Sequence, residues 1–269
     1  GVTSLMGGYT PLILVDGIEG SLSTVAPESI AEITVLKDAS AAAIYGTRGS
    51  SGVIIITTKT GQRGEHHSLS YSGYGSVSTF SKRVDFMDAE FMQMLESLGT
   101  NKNGQTYLSV YSPFANLGYE TDWLDETTRL GVAHNHNISL EGGTKTMAYS
   151  ANVTYRDDQG VIIGSYNKEL RAQMDITQYL FNDILKVNFN MLKTLSENDN
   201  QDSYTIYHQS VIRNPTSPIY TETGDYYEQT APLYYYNPIP YNKEHTGDYR
   251  LESTRLTANV TLEPISGWR

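Results

Sequence analysis

Apolar and polar positions along the chain fall into two textures. In residues 11–61, short apolar runs alternate with small-residue stretches. PLILVDGI (11–18) is an apolar run closed by Asp-Gly, which predicts a strand and a turn. Pro27-Glu28-Ser29-Ile30 reads as a first helical turn, with Pro near its start and an acid at the positive end of the dipole. EITVLK (32–37) alternates and predicts a strand. Asp38 is placed to cap a short Ala-rich helix that starts at Ala39 and ends at Gly46. VIIITTK (53–59) has the β-branched content of a buried strand.

From about residue 66 the pattern becomes long period-two alternation. HSLSYSGYGSV (67–77), NHNISLE (135–141), TMAYSANVTYR (146–156), LRAQMDIT (170–177), ILKVNFNML (184–192) and RLTANVTLE (255–263) each predict a strand. In 146–156, Met147, Tyr149, Ala151, Val153 and Tyr155 share one face, opposite Ala148, Ser150, Asn152, Thr154 and Arg156. One face is therefore apolar and the other wet.

A soluble antiparallel sandwich alternates in the same way. Strand length and connection parity favour a membrane barrel instead. The strands run about 9–11 residues, the length that crosses a bilayer at a tilt. Long connections (78–133, 195–248) and an intermediate one (157–168) alternate with tight ones at Gly142–Lys145 and Asn182–Asp183. Outer-membrane barrels sort their loops this way, short in the periplasm and long outside. The first strand would then run outward, with residues 11–61 on its periplasmic side.

The long excursions hold helical spacing. In 84–97, Asp88 is a candidate cap, and Phe86, Phe91, Met94, Leu95 and Leu98 are expected to cluster. A second helix over 203–213 is expected to stop at Asn214-Pro215.

Composition narrows the classes. Tyr (21) outnumbers Phe (6), Gly is abundant (23), and only 18% of residues are charged, which suits a turn-rich β protein. A net charge of −11 argues against a nucleic-acid partner. With no cysteine there is no thiolate chemistry and no disulfide framework. No apolar run is long enough for a transmembrane helix, which leaves a closed barrel as the way to span a membrane.

The stretch PLILVDGIEG…SIAEITVLKDASAAAIYGTRGSSGVIIITTKTG resembles the plug signature of SusC-like TonB-dependent outer-membrane transporters. The matching positions include Asp16 and Gly17, then Leu36, Lys37, Asp38 and Ala39, then Tyr45, Gly46, Arg48, Gly49 and Gly52. The resemblance covers about fifty residues and is specific. It implies an α+β plug segment followed by antiparallel transmembrane β-barrel strands, an incomplete barrel of the 22-stranded type. Residues 1–64 would be the C-terminal part of the plug. Residues 65–269 would be the N-terminal portion of the barrel, with long extracellular loops at 78–133 and 195–248. Both ends read as cut, and the TonB box and most barrel strands are expected to lie outside the chain.

The family further implies active import of an oligosaccharide or peptide across the bacterial outer membrane. It implies a SusD-like surface lipoprotein partner and energy from the TonB-ExbB-ExbD complex. A siderophore or cobalamin receptor, and a secreted β-sandwich glycan-binding adhesin, stand as rivals.

No catalytic residue, cofactor or metal site is expected. The Thr47–Gly52 loop lacks the Lys-Ser/Thr of a phosphate cradle, and no G-x-S-x-G turn is present. His134 and His136 share a strand face but lack a partner at ligand spacing. The oxygens of 197–202 suit calcium, yet the stretch lacks the glycine and terminal Glu of an EF-hand. Arg48 is expected to pair with plug or barrel-wall carboxylates, where it could serve as a breakable plug–wall contact. Cargo contacts are expected from Tyr226, Tyr227, Tyr234, Tyr235, Tyr236 and Asp225, since aromatic faces stack on sugars and acids accept hydrogen bonds. The alternative for these side chains is loop–loop packing.

Overall fold

The computed structural model describes residues 10–37, 44–49, 51–83, 85–107, 115–199, 202–228, 235–244 and 247–264. The expected cap Asp38, Ala39 and the cargo candidate Tyr234 lie outside them. Two sheets organise the chain.

The first sheet has four strands in the order β2-β1-β4-β3. They are β1 (Leu12–Val15), β2 (Ile18–Glu19), β3 (Ile30–Leu36) and β4 (Val53–Thr58). β1 and β4 pair in parallel; the other pairs are antiparallel. Asp16 and Gly17 form the two-residue turn between β1 and β2, both at positive φ (51° and 81°), as a primed hairpin turn demands. Val15, Val25 and Ile56 form one buried cluster, and Leu14 and Val53 another. Leu36 and Tyr45 of the signature pack on the second cluster.

The second sheet is a six-stranded antiparallel meander, β10-β9-β8-β7-β6-β5. Its strands are β5 (His66–Ser78), β6 (Gly131–Gly143), β7 (Met147–Gln159), β8 (Tyr166–Leu180), β9 (Leu185–Asp199) and β10 (Asp248–Leu262). All six expected strands form, but most run past their expected ends. The excess lies chiefly on the long-loop side, so the connections shrink to 160–165 and 200–247. Apolar alternation marks only the part of a strand that needs an apolar face. Beyond it, the ladder continues on backbone pairing and opposite charges. His134, Asp157, Lys168, Glu197 and Arg250 stand in register on five successive strands. Lys168–Asp157 (4.0 Å) and Arg250–Glu197 (3.7 Å) are ion pairs.

The outward face carries the apolar band. Leu69, Leu140, Ala151, Met174, Met191 and Leu256 form one register row across all six strands. The band drifts across the register. On β10 its upper apolar residue is Leu256, whereas on β5 it is Val77, about eight residues further along. With ~3.4 Å per residue and ~4.8 Å per strand, this drift corresponds to strands tilted by roughly 45° to the band. The inward face is polar: Asn135, Asn137, Ser150, Thr154, Gln173, Asp175, Thr177, Asn190 and Thr194 are all buried. They are buried because the first sheet and its connecting segments lie against them. No helix is long and apolar enough to cross a membrane among the described residues.

Candidate functional site

The contact between the small sheet and the wall is made by loops. Among the described residues, three wall side chains are seen to donate to backbone carbonyls of the small-sheet segment. Ser150 Oγ reaches Lys59 O (3.1 Å), Thr194 Oγ1 reaches Thr24 O (3.4 Å), and Arg171 Nη1 reaches Val25 O (2.9 Å). Arg171 is held in turn by Glu169, Nε to Oε1 at 2.8 Å, and both side chains are largely buried. A polar cavity of about 280 Å³ separates the Asp16 turn from the wall, lined among others by Thr58, Asp175, Asn188 and Arg255.

The linker from β4 to β5 crosses the foot of the wall. Gly61 lies so close to the Tyr149 backbone that a Cβ there would fall well inside 3.0 Å of it. Arg63 then fastens the linker to both tight turns. It donates to Lys145 O (2.8 and 3.1 Å) and to Asp183 (2.9 Å), and its guanidinium lies 4.1 Å from the Tyr179 ring centroid. The hydrogen bond to Asp183 raises the Arg63 pKa above its ordinary value. Arg63 carries no motif and escapes sequence reading, because its partners are about 80 and 120 residues away.

The signature residues mostly build the small sheet. Asp16 accepts from Thr58 N and Thr58 Oγ1, each at 2.9 Å, and so bolts the β1–β2 turn to the end of β4. Gly46 and Gly52 take positive φ (62° and 96°), and Gly49 O accepts from Gly52 N at 3.0 Å. Lys37 is exposed. Arg48 pairs with Glu19 of β2, both exposed. Of the two kinds of carboxylate expected for Arg48, the structure supplies one from its own small sheet, because the Gly46–Gly49 turn holds it beside β2; the breakable contact to the wall is not made there.

The two long excursions fold together into one module. It contains α1 (Ala89–Ser97), α2 (Trp123–Thr127), α3 (Ser203–Ile212) and α4 (Pro238–Glu244). Asp88 caps α1, accepting from Phe91 N at 2.8 Å. The buried face of α1 is Ala89, Met92 and Leu95, whereas Phe86, Phe91, Met94 and Leu98 are exposed. The expected apolar cluster is thus corrected. The cap sets the helix phase, and the slimmer i, i+3, i+6 stripe turns inward.

Two Asn-Pro pairs knit the module. Asn214 Oδ1 accepts from Thr216 N (2.9 Å), and Asn237 Oδ1 accepts from Ile239 N (3.1 Å). Each skips the proline, which has no N–H to give. Their amide groups reach distant carbonyls, Ala115 O at 2.9 Å and Ile219 O at 3.1 Å. Trp123 Nε1 donates to Asn214 O at 2.9 Å.

Arg213, fully buried, lies over Trp123 (5.1 Å) and donates to Tyr227 O (2.7 Å). Burial pushes its pKa down.

The module divides the cargo candidates. Tyr226 stacks on Tyr220 (centroids 5.1 Å), with Lys243 donating to its hydroxyl at 3.1 Å. Asp225 sits in the same turn, accepting from Thr223 Oγ1 at 3.0 Å. Tyr227 and Tyr235 instead serve Arg213, and Tyr236 stacks on Tyr241 (5.6 Å). Tyr220, which sequence reading passed over and which is 47% exposed, completes the pair with the half-buried Tyr226.

Elsewhere, Glu197, Asn198 and Asp199 belong to β9 and pair with β10, so the proposed calcium stretch is strand up to Asp199. His134 and His136 face outward; the Tyr71 hydroxyl lies 2.7 Å from His136 Nδ1. Among the described residues, no three His, Cys, Asp or Glu side chains gather as a metal site.

Comparison with known proteins is consistent with this geometry. Residues 1–53 match the family model of the TonB-dependent Receptor Plug Domain. The TonB-dependent receptor SusC of Bacteroides thetaiotaomicron is 36% identical over 238 residues, which is 84% of this chain and 23% of SusC. A TonB-dependent receptor of Formosa agariphila is 28% identical over 250 residues, 89% of the chain and 24% of the relative. The RagAB peptide importer in its closed-closed state superposes with a TM-score of 0.78 at 23% identity, over 99% of this chain and 34% of that one. The chain spans about a quarter of the length of these curated relatives.

Proposed function

This chain belongs to the SusC-like TonB-dependent receptors, and on that premise we propose that the protein imports an oligosaccharide across the bacterial outer membrane. Residues 1–64 act as plug and 65–269 as the first part of the barrel. The TonB-ExbB-ExbD complex supplies the energy. A SusD-like lipoprotein sits over the loop module, and the exposed apolar face of α1 (Phe86, Phe91, Met94, Leu98) supports such a partner. Import makes and breaks no covalent bond, so no catalytic residue is assigned.

One observation carries this reading. A small sheet is seated against the polar inner face of a wall whose outer face is apolar, below a module that presents the Tyr220–Tyr226 pair. That pair, with Asp225 and Lys243, forms a platform of the kind that stacks on a sugar ring and hydrogen-bonds its hydroxyls. A peptide cargo is the second reading, favoured by the likeness to the RagAB peptide importer. The LKDASAAAIYG run favours both over a siderophore or cobalamin cargo. The test is growth of a deletion strain on single glycans and on peptides. A defect confined to one glycan class supports the first reading. A defect on peptides alone moves the assignment to the second, and no defect on any source refutes import of nutrients.

A further inference from the structure

We propose that Arg171, positioned by Glu169, is the wall-side latch that holds the plug closed. The inference rests on the plug acting as a stopper that moves during import. Of the three wall donors seen to reach plug carbonyls among the described residues, two are neutral hydroxyls and one is a guanidinium. Charge-assisted hydrogen bonds are about twice as strong as neutral ones, so Arg171 makes the strongest of these three contacts.

Its acceptor is the carbonyl of Val25. The Val25 side chain is buried in the cluster of Val15 and Ile56, the centre of the small sheet. The latch therefore grips the plug core through the backbone, and no plug side chain reveals it.

Glu169 gives the latch its reversibility. If the plug shifts, Arg171 loses Val25 O but keeps Glu169, so no unpaired charge is left in the seat. A buried arginine without such a partner would be costly to release. The pair is 13% and 12% exposed; Nε bonds Glu169 Oε1 while Nη1 bonds the carbonyl. Arg48 has the opposite character, with an exposed partner inside the plug itself.

The test uses the full-length protein in planar bilayers, with neither cargo nor energising complex, and reads the ionic leak. Arg171→Ala is expected to raise the frequency of open events by about tenfold or more. Thr194→Val, which removes the neutral bond beside it, is expected to raise it less. Arg171→Lys keeps the charge but lacks the fork that serves Glu169 and Val25 together, and is expected to leak above wild type. Arg48→Ala is expected to seal like wild type. Throughout, the heat-dependent gel mobility of the barrel should not change, because a purely structural role would shift it along with the leak. Wild-type sealing by an assembled Arg171→Ala protein overturns the latch, as does an equal leak from Arg48→Ala. If Arg171→Ala does not assemble, Arg171→Lys decides by the same criterion. The assay needs no cargo, so a failed growth test would refute import and leave the leak result standing.

Discussion

Gly61 offers the sharpest test of how the linker sits. A methyl group there would meet the N, C and O atoms of Tyr149 well inside 3.0 Å. Ordinary contact begins at 3.4 Å, so linker and strand must separate by about 1 Å. The strand cannot yield, because β7 is hydrogen-bonded to β6 on one side and β8 on the other. The linker must lift instead. Lifting breaks the bond from Ser150 Oγ to Lys59 O, worth about 1 kcal/mol, and adds about 1–3 kcal/mol of overpacking. The chain has no cysteine, so Ser150→Cys, at a site 8% exposed beneath the linker, introduces its one thiol. In that background the hydroxyl bond is already gone and only the overpacking remains. Adding Gly61→Ala should then speed thiol labelling by roughly 5- to 150-fold. An unchanged rate in a properly assembled protein would show that the linker does not lie on Tyr149.

Other substitutions probe the remaining joints. Asp16→Ala removes two bonds to Thr58 and places alanine at φ 51°, a loss of about 2–4 kcal/mol, while Asp16→Asn should lose less. Hydrogen exchange at the Thr58 amide should accelerate in that order, and equal protection in all three proteins would contradict the bolt. Trp123→Phe strips the donor from Asn214 O at about 1–3 kcal/mol, so limited proteolysis within 200–247 should quicken; an unchanged cleavage rate would refute the knit of the two loops. Tyr226→Ala should weaken cargo binding by several-fold through loss of stacking, with Tyr236→Ala nearly neutral, and the reverse order by calorimetry would relocate the platform.

What the sequence disclosed follows from which forces act locally. The Asp16-Gly17 turn, the alternation of the six strands, and the Asp88 cap depend on neighbours within four residues, and each was readable. Strand ends were not, because Asp157, Lys168, Glu197 and Arg250 look like loop residues until their register is known. Arg48 was readable as a paired cation but not as a partner of Glu19, 29 positions away. Arg63, Arg171 and Arg213 had no signal at all. Each is an isolated arginine whose acceptors include backbone carbonyls, and a carbonyl has no residue letter. The same limit split the tyrosines, since stacking of Tyr226 on Tyr220 and service of Tyr227 to Arg213 are tertiary facts.

The polar character of the seat has its own consequence. Had the wall's inner face been apolar, seating the plug would have been driven by burial of hydrocarbon, and moving it would have re-exposed that area at about 25 cal/mol per Å². The wall instead offers Ser, Thr, Asn and Gln, which already bond one another: Asn137 to Thr154 at 2.8 Å, Asn152 to Ser139 at 2.7 Å, Asn188 to Thr177 at 2.9 Å. These bonds lie within the wall and persist when the plug leaves. Water can replace those that cross the seam, at a net cost of about 1 kcal/mol for each neutral bond. With a polar seam, displacement under the proposed import breaks individual bonds, of which the charged one at Val25 O is the strongest that the wall is seen to donate among the described residues. Under the proposed import the apolar band on the opposite face has the reverse duty, since it would stay in place while the plug moved.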